Sequence, residues 1–354
     1  MTRALLLVLA ACACRETVDH TDPIAMDDPF RHDRASGDEL ARIEAAAAYS
    51  EAHGGRAFMV LRGDTVVYEA GQNGYDLTEP HHLFSGTKSF SCAAWAVLQR
   101  DGLLAAEDDV RAILPGLSAD AAGLTVDQVL HLTSGVKQDF WGLTRDGLLV
   151  EQRIADKGQR AIELPFVHRP GEVFGYGSAD YFLFGEIVQA RAGRDALQVL
   201  EDDVFAPIGL RTAGWQHDPV GNPMLPYGAW TTAGEWLKYG ALVRDDGVFM
   251  GERVLPAGAL HGCLEGSEAN PAYGRTFWLN RDVDRDVALV AEHRLEPEGP
   301  LLWNDGPADL VAAAGHQDQR LYIVPSLDLV VARLSDGDRE FRDAELLELL
   351  LATP

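Results

Sequence analysis

Two strand pairs stand at opposite ends of this chain, and they limit what it can fold into. Residues 57–62 and 65–69 have strand character on either side of a Gly63-Asp64 turn. Residues 320–324 and 327–334 repeat the arrangement around Pro325-Ser326. Most of the sequence between them has helical character, at 89–101, 106–114, 125–132, 180–191, 194–205 and 232–243. A helical run at 38–52 precedes the first pair, and another at 341–350 follows the last. Shorter strand segments fall at 276–279 and 286–293. Chain ends that carry complementary pieces of one sheet predict an α/β fold split by a helical insertion. Hairpin connections predict that the sheet is antiparallel, flanked by helices. The expected division is 38–84 with 271–354 for the α/β domain and 85–270 for a mainly helical domain. A cleft between such lobes is the usual place for a small-molecule site.

The 354 residues are 47% hydrophobic, ample for a core of this kind. The net charge of -25 argues against a nucleic-acid partner, which needs a basic footprint. Residues 1–37 read as an export signal and a polar tether. Met1-Thr2-Arg3 is a basic start, and the apolar run at 4–11 is too short to span a bilayer. Leu9-Ala10-Ala11-Cys12 resembles a bacterial lipobox. It predicts lipidation at Cys12, a periplasmic or cell-surface location, and membrane contact only through the lipid. A simple secretory signal or a misplaced start codon is the alternative. Cys92 and Cys263 are the cysteines of the folded part, and two over that length are not a disulfide scaffold. His81-His82 reads as surface or pocket lining, no Cys/His cluster has metal spacing, and no cofactor is expected.

Chemistry enters at Ser85-Gly86-Thr87-Lys88, where an irregular segment gives way to helix. Residues one turn apart share a face, so the lysine amine can stand beside the serine hydroxyl. Free N–H groups near a helix start favour negative charge there. Together these make a nucleophile of a serine. The plainer reading is a capping serine beside a surface lysine.

Further along come Tyr176-Gly177-Ser178, behind Arg169-Pro170-Gly171, and Gly315-His316-Gln317-Asp318-Gln319, ahead of the strand at 320–324. Serine–lysine, tyrosine-x-serine and a glycine-bearing strand edge, in that order, resemble the serine beta-lactamase and penicillin-binding protein superfamily. The resemblance is to its class C-like branch, which also holds esterases, D-aminopeptidases and amide hydrolases. It runs from about Asp38 to the C-terminus, and His131-Leu132-Thr133-Ser134-Gly135 and Gly251-Glu252-Arg253 fit it. The resemblance implies that Ser85 attacks an ester or amide carbonyl to form an acyl-enzyme. Lys88 and Tyr176 would activate it. Free lysine and phenol both titrate near pH 10, so the pair must be shifted and must titrate together. Ser178 would hold Lys88 by a hydrogen bond, or else cap the following helix. The family's third motif falls on Ala313-Ala314-Gly315, so the oxyanion hole would be the backbone N–H groups of Ser85 and His316. Gly315 would let the backbone pass close to the substrate.

Penicillin-recognising members carry lysine where this chain has Ala313, which counts against beta-lactam hydrolysis. Arg320 is a candidate replacement cation, with strand alternation deciding its direction. Asp318 either repels anionic substrates or pairs with Arg320. Phe140, Trp141, Tyr227, Trp230 and Trp278 are candidates for the pocket wall or for packing between lobes, and Gln138 for a polar substrate contact. The expected function is hydrolysis of a small ester or amide. The alternatives are a beta-lactamase or D-amino-acid peptidase, and a non-catalytic binding protein on the same fold.

Overall fold

Gly63 takes a positive φ of 54°, and the first hairpin closes around it as the alternation predicts. The computed structural model describes residues 22–24, 28–138, 154–283 and 302–352. Cys12, Phe140, Trp141 and the strand expected at 286–293 lie outside the described residues. Seven strands form the main sheet: β1 (Arg31–His32), β2 (Gly55–Arg62), β3 (Thr65–Gly71), β4 (Trp278–Leu279), β5 (Val311–Gly315), β6 (Gln319–Val324) and β7 (Leu329–Ser335). Their order is β1-β3-β2-β7-β6-β5-β4. The two hairpins therefore meet at the centre, where β2 pairs antiparallel with β7, Val60 opposite Val331. One edge departs from the antiparallel expectation. The short β1 runs parallel to β3, with Arg31 opposite Thr65, so the sheet is mixed.

Both faces of the sheet are covered, which is why β2 and β7 read as near-continuous apolar runs. Phe58, Val60, Tyr322, Val324 and Val331 point to one face. There they meet Ile43, Ala46 and Ala47 of α1 (Gly37–Ala52) and Leu346, Leu347 and Leu350 of the C-terminal helix, Asp343–Leu351. Met59, Leu61, Leu321, Ile323 and Ala332 alternate with them and join the larger core on the other face. That core includes α2 (Phe90–Arg100), α3 (Ala179–Ala192) and α4 (Ala233–Arg244). Thr232 starts α4 by accepting the Glu235 N–H at 3.2 Å. The C-terminal helix is α5.

Every residue of α2 from Phe90 to Leu98 is buried, so this helix is a central post rather than an amphipathic surface element. Cys92, in its first turn, is bonded to Cys263 in the 3-10 turn His261–Leu264, with Cα atoms 6.2 Å apart. This bridge is no scaffold of the small disulfide-rich kind, but it pairs two residues that spacing gave no reason to join. Among the described residues, no helix is long and apolar enough to cross a membrane.

Candidate active site

Ser85 sits in a 3-10 turn, Phe84–Ser89, that runs directly into α2. Phe84 enters it at a φ of 48°, an uncommon conformation for a residue with a side chain. Side chains three apart eclipse in a 3-10 helix, so Lys88 lies directly over Ser85. Lys88 Nζ donates to Ser85 Oγ at 3.1 Å and to the Pro226 carbonyl at 2.9 Å. The lysine is only 3% exposed. The segment 224–229 is fastened along the same turn. Tyr227 O accepts from His82 Nε2 at 2.5 Å, Thr87 Oγ1 accepts the Ala229 N–H at 3.1 Å, and Ala229 O accepts the Leu83 N–H at 3.0 Å. His82 also stacks on Trp230, while the neighbouring His81 turns away toward Asp336.

Tyr176 is buried beside the lysine, with Nζ 5.1 Å from its ring centroid. Trp278 and Tyr273 pack against it at 5.3 and 6.1 Å between centroids. Two more phenols are close, Tyr181 and Tyr273, with hydroxyls 2.7 Å apart. Burial pushes both well above the ordinary tyrosine range, so they stay neutral and act as wall. Ser178 is buried at the N-terminal boundary of α3, and its side chain makes no capping bond. Gln138, a candidate substrate contact, spends its amide on Asp180 and on the Ala179 N–H.

Gly315 ends β5 against the serine turn. A Cβ there would lie 2.1 Å from Leu83 O and 3.1 Å from Gly86 N, so no side chain fits. The strand edge thus touches the chain on both sides of Ser85, and His316 is the next residue. The His316 side chain is exposed, and its ring meets Phe84 edge-on at 5.4 Å.

The two charged candidates beyond it belong elsewhere. Arg320 is 3% exposed and faces α5, with Nε 2.6 Å from Asp343 Oδ1 and Nη2 3.1 Å from Oδ2. Tyr322, two residues on, donates to the same Asp343 oxygen at 2.5 Å. Alternation along β6 therefore sends Arg320 to the face opposite the nucleophile, and the expected substrate cation is not there. Burial disfavours its charge, but Asp343 more than offsets this and holds the guanidinium charged. Asp318 Oδ2 accepts the Asp338 N–H at 2.9 Å, and its Oδ1 is 3.9 Å from Arg320 Nη2. That places Asp318 at the outer reach of an ion pair with Arg320, one of its two readings. Ala313 is buried on the nucleophile's face of β5, with Leu321 as its cross-strand partner.

The Pro226 carbonyl went unread in the sequence because a main-chain acceptor leaves no side-chain signature. Among the described residues, no group of three or more His, Cys, Asp or Glu side chains is placed to hold a metal ion. A serine oxygen and a buried amine in contact, beside a phenol and at the edge of a strand, form an arrangement suited to acyl transfer.

The sequence profile of the beta-lactamase family matches residues 40–353, and the chain belongs to that family of serine hydrolases. A D-aminopeptidase from Gluconobacter oxydans is 30% identical over 191 residues, which cover 49% of this chain and 35% of that protein. The chain thus spans about a third of that relative's length. Among solved structures, a penicillin-binding protein homolog from Caulobacter crescentus superposes with a TM-score of 0.65 at 16% identity, covering 87% of this chain and 96% of the other. A D-stereospecific amidohydrolase from a Streptomyces species gives 0.61 at 16%, covering 88% and 98%. These two likenesses establish the fold.

Proposed function

We propose that the protein hydrolyses a small, uncharged ester or amide through an acyl-enzyme on Ser85. The observation that carries the reading is the contact of 3.1 Å between Lys88 Nζ and Ser85 Oγ, made by a lysine that is buried and steered by Pro226. In acylation Ser85 Oγ bonds to the carbonyl carbon, and its proton passes to the Lys88–Tyr176 pair. The carbon–leaving-group bond then breaks, and Tyr176 delivers the proton to the departing oxygen or nitrogen. Water attacks the acyl carbon in the second half, restoring the Ser85 hydroxyl and releasing the acid. The N–H groups of Ser85 and His316 serve as the oxyanion hole, a role in which one donor is worth about 3 kcal/mol.

The preference for uncharged substrates rests on Ala313, which offers no cation on the nucleophile's face, and on Arg320, which is spent on Asp343. A second reading, cleavage of D-amino-acid amides, is favoured by the likeness to the D-aminopeptidase. The test is kcat/KM for p-nitrophenyl butyrate, D-alanine p-nitroanilide and a chromogenic cephalosporin. The ester should lead and the cephalosporin trail. A preference for the cephalosporin would overturn the reading in favour of a beta-lactamase, and a preference for the anilide would make the second reading the first.

Export through the lipobox at Cys12 belongs to the same proposal. The Cys92–Cys263 bridge supports an oxidising compartment. Wild-type protein should fractionate with membranes, and Cys12→Ser should move to the soluble fraction. Wild type recovered wholly soluble, with an unmodified N-terminus, would contradict lipidation.

A further inference from the structure

Asp180 is the second residue of α3, two positions beyond Ser178, and its side chain is buried. Gln138, four residues beyond Ser134, reaches it. Its Nε2 donates to Asp180 Oδ2, and its Oε1 accepts the Ala179 N–H at 3.2 Å. The same amide lies against Gly177, where a Cβ would stand 2.1 Å from Gln138 Oε1. One side-chain amide thus touches Gly177, Ala179 and Asp180, and fixes the path of the chain as it leaves Tyr176.

The second Asp180 oxygen, Oδ1, is buried without a hydrogen-bond partner among the described residues. Burial pushes this carboxyl up to about 7, with Ser134 and Gln138 pulling it partly back. A buried carboxyl with one oxygen short of a well-formed hydrogen bond is costly, and a surface aspartate would serve the helix start as well. Its cost falls at the turn that aims Tyr176, whose hydroxyl must be set to a fraction of an ångström for proton transfer.

On the serine-hydrolase reading, we propose that Gln138 and Asp180 form a clamp that sets the Tyr176-Gly177-Ser178 turn against Lys88. Both are then positioning residues, because they act through Tyr176 and not on the substrate. The experiment compares the full chain with Gln138→Met, Asp180→Leu, Asp180→Asn and Ser85→Ala, using p-nitrophenyl butyrate and thermal melts. Gln138→Met and Asp180→Leu fill nearly the same space without the bonds. Each should lower kcat roughly 10- to 100-fold and leave KM within about 2-fold, since binding of the ester does not need the Tyr176 proton. Asp180→Asn keeps an oxygen for Gln138 and should hold kcat within about 3-fold of wild type. A wild-type kcat in either apolar variant, or a loss confined to KM, would overturn the clamp. So would a loss beyond about 10-fold in Asp180→Asn with a wild-type melt. Either apolar variant that folds carries the test. Loss of turnover in Ser85→Ala beside a wild-type kcat in Gln138→Met removes the clamp alone. Undiminished turnover in Ser85→Ala removes the serine-hydrolase reading beneath it.

Discussion

Lys88 is held at both ends of its reach, by the turn it grows from and by the Pro226 carbonyl its amine meets. Lys88→Met should therefore keep the fold and slow acylation of Ser85 by about 100-fold or more, the scale of a positioned acid–base group. Labelling rate with a fluorophosphonate probe measures this, and a wild-type rate would show that the amine is a bystander. Asp180 makes a separate prediction about pH. Its folded value is raised from 3.8 to about 7. A raised acid contributes its full stability below the unfolded value and loses it as pH climbs to the folded one. Wild type should thus lose stability between about pH 4 and pH 7, by on the order of 4 kcal/mol, while Asp180→Asn should not. Urea unfolding at pH 4 and pH 8 decides it, and equal slopes for the two proteins would show that the carboxyl is not strained by burial. At this scale the sequence exposed the Ser85–Lys88 pair, because the spacing is local. It did not expose the direction of Arg320. A strand side chain points to one of two faces, and a single residue's slip reverses the choice.

Two elements meet at the serine: the turn that opens α2 and the end of β5. Gly315 is what permits the contact, so Gly315→Ala should push the strand away from Leu83 and misalign the His316 amide. A fall in kcat of about 10-fold or more, with a smaller change in melting temperature, is the expected result. Unchanged turnover would place the oxyanion donor elsewhere. The disulfide ties the same helix to the chain ahead of Tyr273 and Trp278, the aromatic wall around Tyr176. Cys92→Ser should cost about 2–4 kcal/mol in urea unfolding. A wild-type midpoint would mean that the bridge adds nothing. The hairpins were legible because turn residues and alternation are local signals. The helix expected at 194–205 runs from Ala196 to Ile208, though not as a uniform α-helix. Ala196–Leu200 gives way to a π turn at Glu201–Phe205 and a last turn, Ala206–Ile208, that contains Pro207. That π turn depends on packing, as does the parallel pairing of the two-residue β1, too short to leave a pattern. The Cys92–Cys263 pair is separated by 171 residues, so proximity arises only from the fold.

For the molecule as a whole, the division into a sheet made from both chain ends and a helical middle followed from complementarity of the hairpins. The mixed sheet and the pairing of Arg320 with Asp343 required the structure. With Arg320 turned away and an alanine at 313, neither residue offers a cation on the nucleophile's face of the sheet. Ala313→Lys should raise kcat/KM for a cephalosporin relative to p-nitrophenyl butyrate by about 10-fold, the worth of one charge-assisted hydrogen bond. No change in the ratio would show that this position does not set the preference. Ser85 is proposed to become acylated during turnover. Peptide mass mapping after treatment with a fluorophosphonate tests it most directly. A single adduct should appear on the peptide that holds Ser85 and be absent from Ser85→Ala. An adduct instead on the peptide that holds Thr133 and Ser134, or turnover that survives with no adduct at Ser85, would contradict it.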